Sequence, residues 1–205
     1  MDEGWIKINN DTYFLNDLHD GTFGSLVTGW KYVTNVDDDN SETPDQEGWY
    51  YFDTNGKMVY GKERKIGNYF YAFDDNGLMQ DNWVAMEKTS GSNLVYKYYN
   101  AQNGDRVDGW KYLQDMDEDE GLDTEEGWYF FKHGIPYTAS NKTTKINNGY
   151  GVAKINGKIY CFDNLGKMVT GKVDSSQSGE YFYFDDKNGD MKYGKVRLTN
   201  SEDLD

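Results

Sequence analysis

A tandem aromatic repeat fills the chain and constrains its fold more than any other feature. The pattern reads aromatic-x-aromatic-Asp-x-x-Gly-x-Met-x-x-Gly, with its clearest copies at Gly48 to Lys62 (GWYYFDTNGKMVYGK), Tyr69 to Gln80, Lys158 to Lys172 and Tyr181 to Lys195. Self-similarity at a period of roughly 20 to 50 residues marks stacked repeats, because one such unit cannot bury its own apolar face. Aromatics make up 17% of the residues, led by 18 Tyr, and aliphatics are scarce. Any core must therefore be aromatic.

Each unit reads as a β-hairpin. Within the aromatic run, period-two alternation sends Tyr50 and Phe52 to one face and Trp49 and Tyr51 to the other. Across the units the first face reads Tyr50/Phe52, Tyr71/Phe73, Lys97/Tyr99, Tyr129/Phe131, Tyr160/Phe162 and Phe182/Phe184. It is aromatic at every slot but one, and is expected to be the shared core. The opposite face reads Trp49/Tyr51, Phe70/Ala72, Tyr96/Tyr98, Trp128/Phe130, Ile159/Cys161 and Tyr181/Tyr183. Its chemistry changes from unit to unit, which suits a ligand-facing surface or partial packing, so Tyr183 is expected to contribute less stability than Phe162. The Asp-x-x-Gly that follows each run, as in Asp53 to Gly56, Asp74 to Gly77 and Asp163 to Gly166, is a turn in which the carboxylate bonds nearby backbone. These aspartates are read as structural rather than catalytic. Met58, Met79, Met168 and Met191 each stand two residues after a turn glycine and are expected to fill gaps between units. The fold class follows: an all-β solenoid of tandem β-hairpin repeats with an aromatic inter-repeat core, forming one repeat domain over 1–205 with six to seven hairpins.

The net charge of -15 is local. Asp37 to Glu47 holds six acids and Asp115 to Glu126 holds eight, neither with a base, which leaves 22 acids against 21 bases elsewhere. The repeat framework is nearly neutral, and the acidity belongs to two hairpin-tip inserts near 37–47 and 115–126. No cluster of Lys and Arg suited to a phosphate backbone is present, so nucleic acid is not the expected partner. No run of 18 apolar residues exists, which argues against a membrane-inserted helix. The chain reads as soluble, and as a piece of a longer secreted protein.

Enzyme chemistry finds little support. His19 and His133 sit in unrelated contexts, and no Gly-x-Ser-x-Gly or phosphate loop occurs. Cys161 stands where Tyr51 and Tyr183 stand in sister units, which marks a packing residue rather than a nucleophile. Catalytic residues, cofactors and a metal are all assigned as none. Within the second insert Asp115, Asp117, Asp119 and Glu126 match positions 1, 3, 5 and 12 of a calcium loop, but Glu120 stands where that loop needs glycine. A solvated hairpin tip is the plainer reading.

Tryptophan sorts the units. Trp5, Trp30, Trp83 and Trp110 open first strands, whereas Lys62, Lys172 and Lys195 take that slot elsewhere. Only two units add a second tryptophan, pairing Trp30 with Trp49 and Trp110 with Trp128, and these same units carry the acidic inserts. Their recurrence after about 80 residues suggests a higher-order duplication.

The string Thr28-Gly29-Trp30, followed by Gly48-Trp49-Tyr50-Tyr51-Phe52-Asp53 and Gly56-Lys57-Met58, resembles the cell-wall-binding repeat. That repeat is shared by choline-binding proteins, glucan-binding domains of glucansucrases and the repetitive regions of large clostridial toxins. The resemblance covers about Gly4 to Lys195. It implies a hairpin solenoid on secreted Gram-positive proteins, located extracellularly at the bacterial cell surface or wall and binding wall polymers or glycans. In the choline-binding branch, two hairpin tryptophans and an aromatic of a neighbouring repeat cage a quaternary ammonium. Carried onto this chain, that suggests ligand sites at Trp30, Trp49 and Tyr51 and at Trp110, Trp128 and Phe130. A lysine in the tryptophan slot would repel choline, so wall polymer or glycan is the leading ligand class and choline the alternative. A structural spacer or self-association role without a small ligand is a third reading.

Overall fold

The computed structural model describes residues 3–34, 43–87, 94–114, 125–176 and 180–193. Among them every regular element is a β-strand, and seven antiparallel hairpins follow one another along the chain. The first pairs Gly4–Ile8 with Asp11–Leu15, the second Gly29–Val33 with Gly48–Phe52, the third Lys62–Ile66 with Tyr69–Phe73, and the fourth Asn82–Glu87 with Leu94–Tyr99. The fifth pairs Gly109–Leu113 with Gly127–Lys132, the sixth Gly151–Ile155 with Lys158–Phe162, and the seventh Gly171–Asp174 with Tyr181–Phe184. The chain divides into two compact units, Met1–Arg106 with four hairpins and Val107–Asp205 with three.

Turn chemistry and pleating fix the register. In the sixth hairpin Asn156 and Gly157, at φ 49° and 84°, form the two-residue turn whose handedness matches strand twist. His133 takes positive φ in a similar reversal before Gly134, which gives that histidine a backbone role. Across the strands a glycine commonly faces the large core ring, as in Gly29 opposite Phe52, Gly109 opposite Phe131 and Gly151 opposite Phe162. Phe52, Phe73, Tyr99, Phe131, Phe162 and Phe184 are all buried, so the second slot of the expected core face is the core throughout.

The opposite face departs from expectation. Trp49 and Trp128 are exposed, but Ala72, Tyr98, Cys161 and Tyr183 are buried. Tyr183 therefore is not the lightly packed residue that its face suggested. The cause is stacking of hairpins, because an element packed beyond a strand covers the slots beneath it whichever face they belong to. Cys161 illustrates this: it clusters with Val173 and Phe184 of the next hairpin, and burial pushes its thiol pKa up to about 12.

Three devices join neighbouring hairpins within a unit. The turn aspartates organise the link: Asp163 Oδ1 accepts backbone N–H groups of Leu165, Gly166 and Lys167 at 2.7–2.9 Å, and Asp53 and Asp74 act similarly. Met58, Met79 and Met168, each two residues beyond a turn glycine, then reach the turn glycine of the following hairpin. A Cβ added at Gly77 would come within 2.6 Å of Met58 Sδ, and Met79 and Met168 crowd Gly104 and Gly189 in the same way. Gly77 is required twice over, because its φ of +85° also disfavours a side chain. The third device places a first-strand residue on the core face of the next hairpin. Trp5 lies 4.9 Å from Tyr50 and 5.9 Å from Phe52, Trp30 lies 4.7 Å from Tyr71 and 5.8 Å from Phe73, and Trp110 lies 4.7 Å from Tyr160 and 5.9 Å from Phe162, centroid to centroid.

This register corrects one expectation. In the third hairpin Lys62 pairs with Phe73 as Gly29 pairs with Phe52, so the residue in the tryptophan slot is Glu63. The core slot it meets in the fourth hairpin is Lys97, the one non-aromatic in that series. Glu63 pairs with Lys97 and Arg106 at 3.0 Å each and accepts the Tyr99 hydroxyl at 2.8 Å. An ion network thus replaces the Trp–Tyr contact seen at the junctions of Trp5, Trp30 and Trp110. Lys172 does occupy the tryptophan slot, opposite Tyr183, and Lys195 lies outside the described residues.

Most of both acidic inserts, including Asp37, Asp39, Asp115, Asp117, Asp119 and Glu120, also lies outside the described residues. Their C-terminal ends are tied to the core in matching ways. The buried Tyr50 hydroxyl donates to the Gln46 carbonyl at 2.7 Å, and the Tyr129 hydroxyl to the Glu125 carbonyl at 2.7 Å.

Candidate functional site

Two aromatic clusters occupy equivalent places in the two units. In the second hairpin Trp30 meets Trp49 edge-on, with centroids 6.4 Å apart and planes at 87°. Tyr71 turns toward Trp30 from the third hairpin at 4.7 Å and 68°. In the fifth hairpin Trp110 meets Tyr160 of the sixth at 4.7 Å and 65°. The two arrangements agree within a few degrees although about 80 residues separate them.

The outer tryptophans are held by a second duplicated contact. Trp49 packs edge-on against Tyr32 at 5.3 Å, and Trp128 against Tyr112 at 5.4 Å. The Tyr32 hydroxyl donates to Glu47 at 3.0 Å, and the Tyr112 hydroxyl to Glu126 at 2.7 Å. These hydrogen bonds raise the pKa of both phenols and fix the rings that support each tryptophan. Trp49 and Trp128 stay 44% and 46% exposed, unusual for side chains whose burial is so favourable. Glu126, the calcium-loop candidate at position 12, is thus engaged with Tyr112.

The second unit shows an open cleft of about 350 Å³ lined by Trp110, Trp128, Tyr160, Met168, Lys187 and Asn188. Every wall but the last two residues is apolar or aromatic. An open cleft lined by aromatic rings suits a sugar ring or a cationic group. Among the described residues no group of three or more His, Cys, Asp or Glu is placed to hold a metal.

Of the residues singled out by sequence, the structure brings Trp30 with Trp49, and Trp110 with Trp128, to the same clusters. Tyr51 and Phe130 belong to the same hairpins as those tryptophans, packing on Trp30 and Trp110 at 5.1 Å each. The aromatics supplied by a neighbouring hairpin are Tyr71 and Tyr160, which sequence reasoning had placed in the core. One signal distinguishes them: they follow a unit carrying two tryptophans. Tyr50 and Tyr129, in the corresponding slots elsewhere, are fully buried, whereas Tyr71 and Tyr160 are partly exposed.

Family models match three stretches of the chain. A choline-binding repeat matches residues 150–195, and a cell wall binding repeat matches 3–17 and 45–58. Those three stretches are thus similar to cell-wall-binding repeats. Over 202 residues the chain is 29% identical to glucosyltransferase-S of Streptococcus mutans, covering 94% of this chain but 12% of that protein. Solved structures of choline binding protein F from Streptococcus pneumoniae share the fold. One superposes with a TM-score of 0.62 at 22% identity over 93% of this chain and 52% of its own. Another, determined in the presence of a peptidoglycan analogue, gives 0.63 at 23% over 96% and 54%. The chain thus spans about half the length of those structures and shares their fold.

Proposed function

We propose that the chain is a non-catalytic module of the bacterial cell surface or wall that binds a wall polymer or glycan through the aromatic clusters between hairpins. The observation that carries this reading is the repetition of one Trp–Tyr geometry, at 4.7 Å in both units, beside a tryptophan left exposed. Core packing alone gives no reason to hold Trp49 and Trp128 half in water by a Tyr–Glu clamp. Support also comes from the relatives: one is a glucosyltransferase and another was solved with a peptidoglycan analogue. Choline remains the alternative ligand, and the edge-on rings are its specific support, because a quaternary ammonium binds π-faces with about 0.5–2 kcal/mol per contact. The inward-pointing Glu63 also removes one of the lysines that argued against it.

Catalysis has no place in this reading, since the recurring aspartates are engaged in turns and the buried thiol of Cys161 is held protonated. Weak sites on one chain gain by avidity on a polymer. The test is retention on purified wall material and on glucan by Trp49→Ala and Trp128→Ala, with urea unfolding measured on the same samples. Retention should fall while cooperative unfolding persists. Unchanged retention per folded molecule would leave these rings a purely structural role, and the spacer reading would replace this one.

A further inference from the structure

The two aromatic clusters differ in charge at the last turn, where Asp185, Asp186 and Lys187 stand in place of Asn100, Ala101 and Gln102. Each cluster uses three successive hairpins: the second, third and fourth in the first unit, and the fifth, sixth and seventh in the other. The first gives the tryptophans, the next gives the tyrosine and a methionine, and the methionine rests on the turn glycine of the last. Met79 over Gly104 and Met168 over Gly189 put the two final turns in register. Both turns also close with the same backbone bond, Gly104 N–H to Asn100 and Gly189 N–H to Asp185, each at 2.7 Å. Counting back from those glycines, Asn188 corresponds to Asn103, and Lys187 corresponds to Gln102.

Lys187 lines the cleft with Trp110, Trp128 and Tyr160, and among the described residues its ammonium forms no ion pair. The acids of its own turn are engaged elsewhere. Asp185 pairs with Lys192 at 3.2 Å, Asp186 accepts the Tyr183 hydroxyl at 2.6 Å, and Asp190 pairs with Lys192 and Lys158 at 3.2 and 3.5 Å. On the other side Lys167 is bound to Glu125 at 2.9 Å. Among the described residues the result is an unpaired cation lining an aromatic cleft, on a chain whose net charge is -15.

We infer that Lys187 makes the second unit's site selective for a polymer bearing an anionic group next to the unit that stacks on the rings. The first unit's site, with Gln102 at that position, takes the neutral counterpart. This rests on the ligand-binding reading above and gives it a substrate class: an anionic wall polymer rather than a neutral glucan for the second site. An ammonium suits such a group as a point charge free to follow a phosphate or a carboxylate. The two anions share this chemistry, and the test separates them.

The experiment titrates the full chain and its Lys187→Gln, Gln102→Lys and Trp128→Ala variants with three probes: a phosphodiester-linked teichoic acid, a polyuronate and a neutral dextran. Lys187→Gln should weaken teichoic acid binding about three- to tenfold at low salt, with the gap closing as ionic strength rises. Dextran binding should not change, and Gln102→Lys should strengthen anionic binding by a similar factor. A matching loss on polyuronate would make the preference one for anions in general; no loss there would restrict it to phosphate. An unchanged affinity of Lys187→Gln for both anionic probes overturns the inference, as does failure of the unmodified chain to bind either. The Trp128→Ala arm separates the two claims: if it weakens binding and Lys187→Gln does not, only the role of the lysine fails. If neither variant changes binding, the aromatic-site reading fails with it.

Discussion

Replacing Phe162 by alanine should be among the most damaging single changes in the second unit. Its ring is 0% exposed and touches two other aromatics, stacking on Trp110 at 5.9 Å and meeting Tyr137 edge-on at 5.9 Å. Gly151 lies opposite it and offers no side chain to fill the void. A Phe→Ala change in such surroundings costs about 3–5 kcal/mol through lost transfer energy and the remaining cavity. That is a large share of the roughly 5–15 kcal/mol typical of a folded domain. Tyr183→Ala should come within about 2 kcal/mol of it, because the ring is 8% exposed and its hydroxyl bonds Asp186 at 2.6 Å. Tyr181, on the same strand but 57% exposed, should cost under about 0.5 kcal/mol. Urea titration followed by aromatic circular dichroism would rank the three through midpoint and slope. A loss below about 1 kcal/mol at Phe162, or equal losses at Tyr181 and Phe162, would refute the assignment of the core.

Two further outcomes concern ionisable groups. Burial works to raise the Glu63 pKa, but hydrogen bonds from Tyr99, Lys97 and Arg106 outweigh it and hold the group below its ordinary value. A depressed folded pKa contributes stability that is complete above the unfolded value of about 4.3 and is lost as pH falls through the folded one. Acid unfolding of Glu63→Gln should therefore be less steep below about pH 4 than that of the unmodified chain, and identical slopes would remove Glu63 from the explanation. Cys161, buried with its pKa pushed up to about 12, should resist a thiol reagent at pH 8 until the chain is unfolded. Rapid labelling of the native chain would show that the junction around Val173 and Phe184 is open.

Much of the fold was legible because its rules are local. Alternation along Gly48–Phe52 fixed which side chains share a face, and Asp-x-x-Gly fixed where each hairpin ends. Tyr183 and Lys62 were misplaced because their surroundings are set elsewhere. The first is covered through inter-hairpin stacking, and the second yields the tryptophan slot to Glu63 through a register shift in the third hairpin that spacing from Gly61 does not reveal. At the candidate site the paired tryptophans could be read directly, since their coincidence in two units is visible in the string. Tyr71 and Tyr160 share a slot of the motif with Tyr50 and Tyr129, so the motif alone does not separate them; the two tryptophans carried by the unit before each of them do.

The six tryptophans allow the central claim to be tested in one spectrum. Indole N–H resonances of the ¹⁵N-labelled chain, assigned by single replacement, can be followed while fragments of wall polymer, dextran or choline are added. Ligand entering the aromatic clusters should shift the signals of Trp30, Trp49, Trp110 and Trp128 in a saturable way and leave those of Trp5 and Trp83 in place. Shifts confined to Trp5 and Trp83, or no saturable shift with any of these ligands, would contradict it.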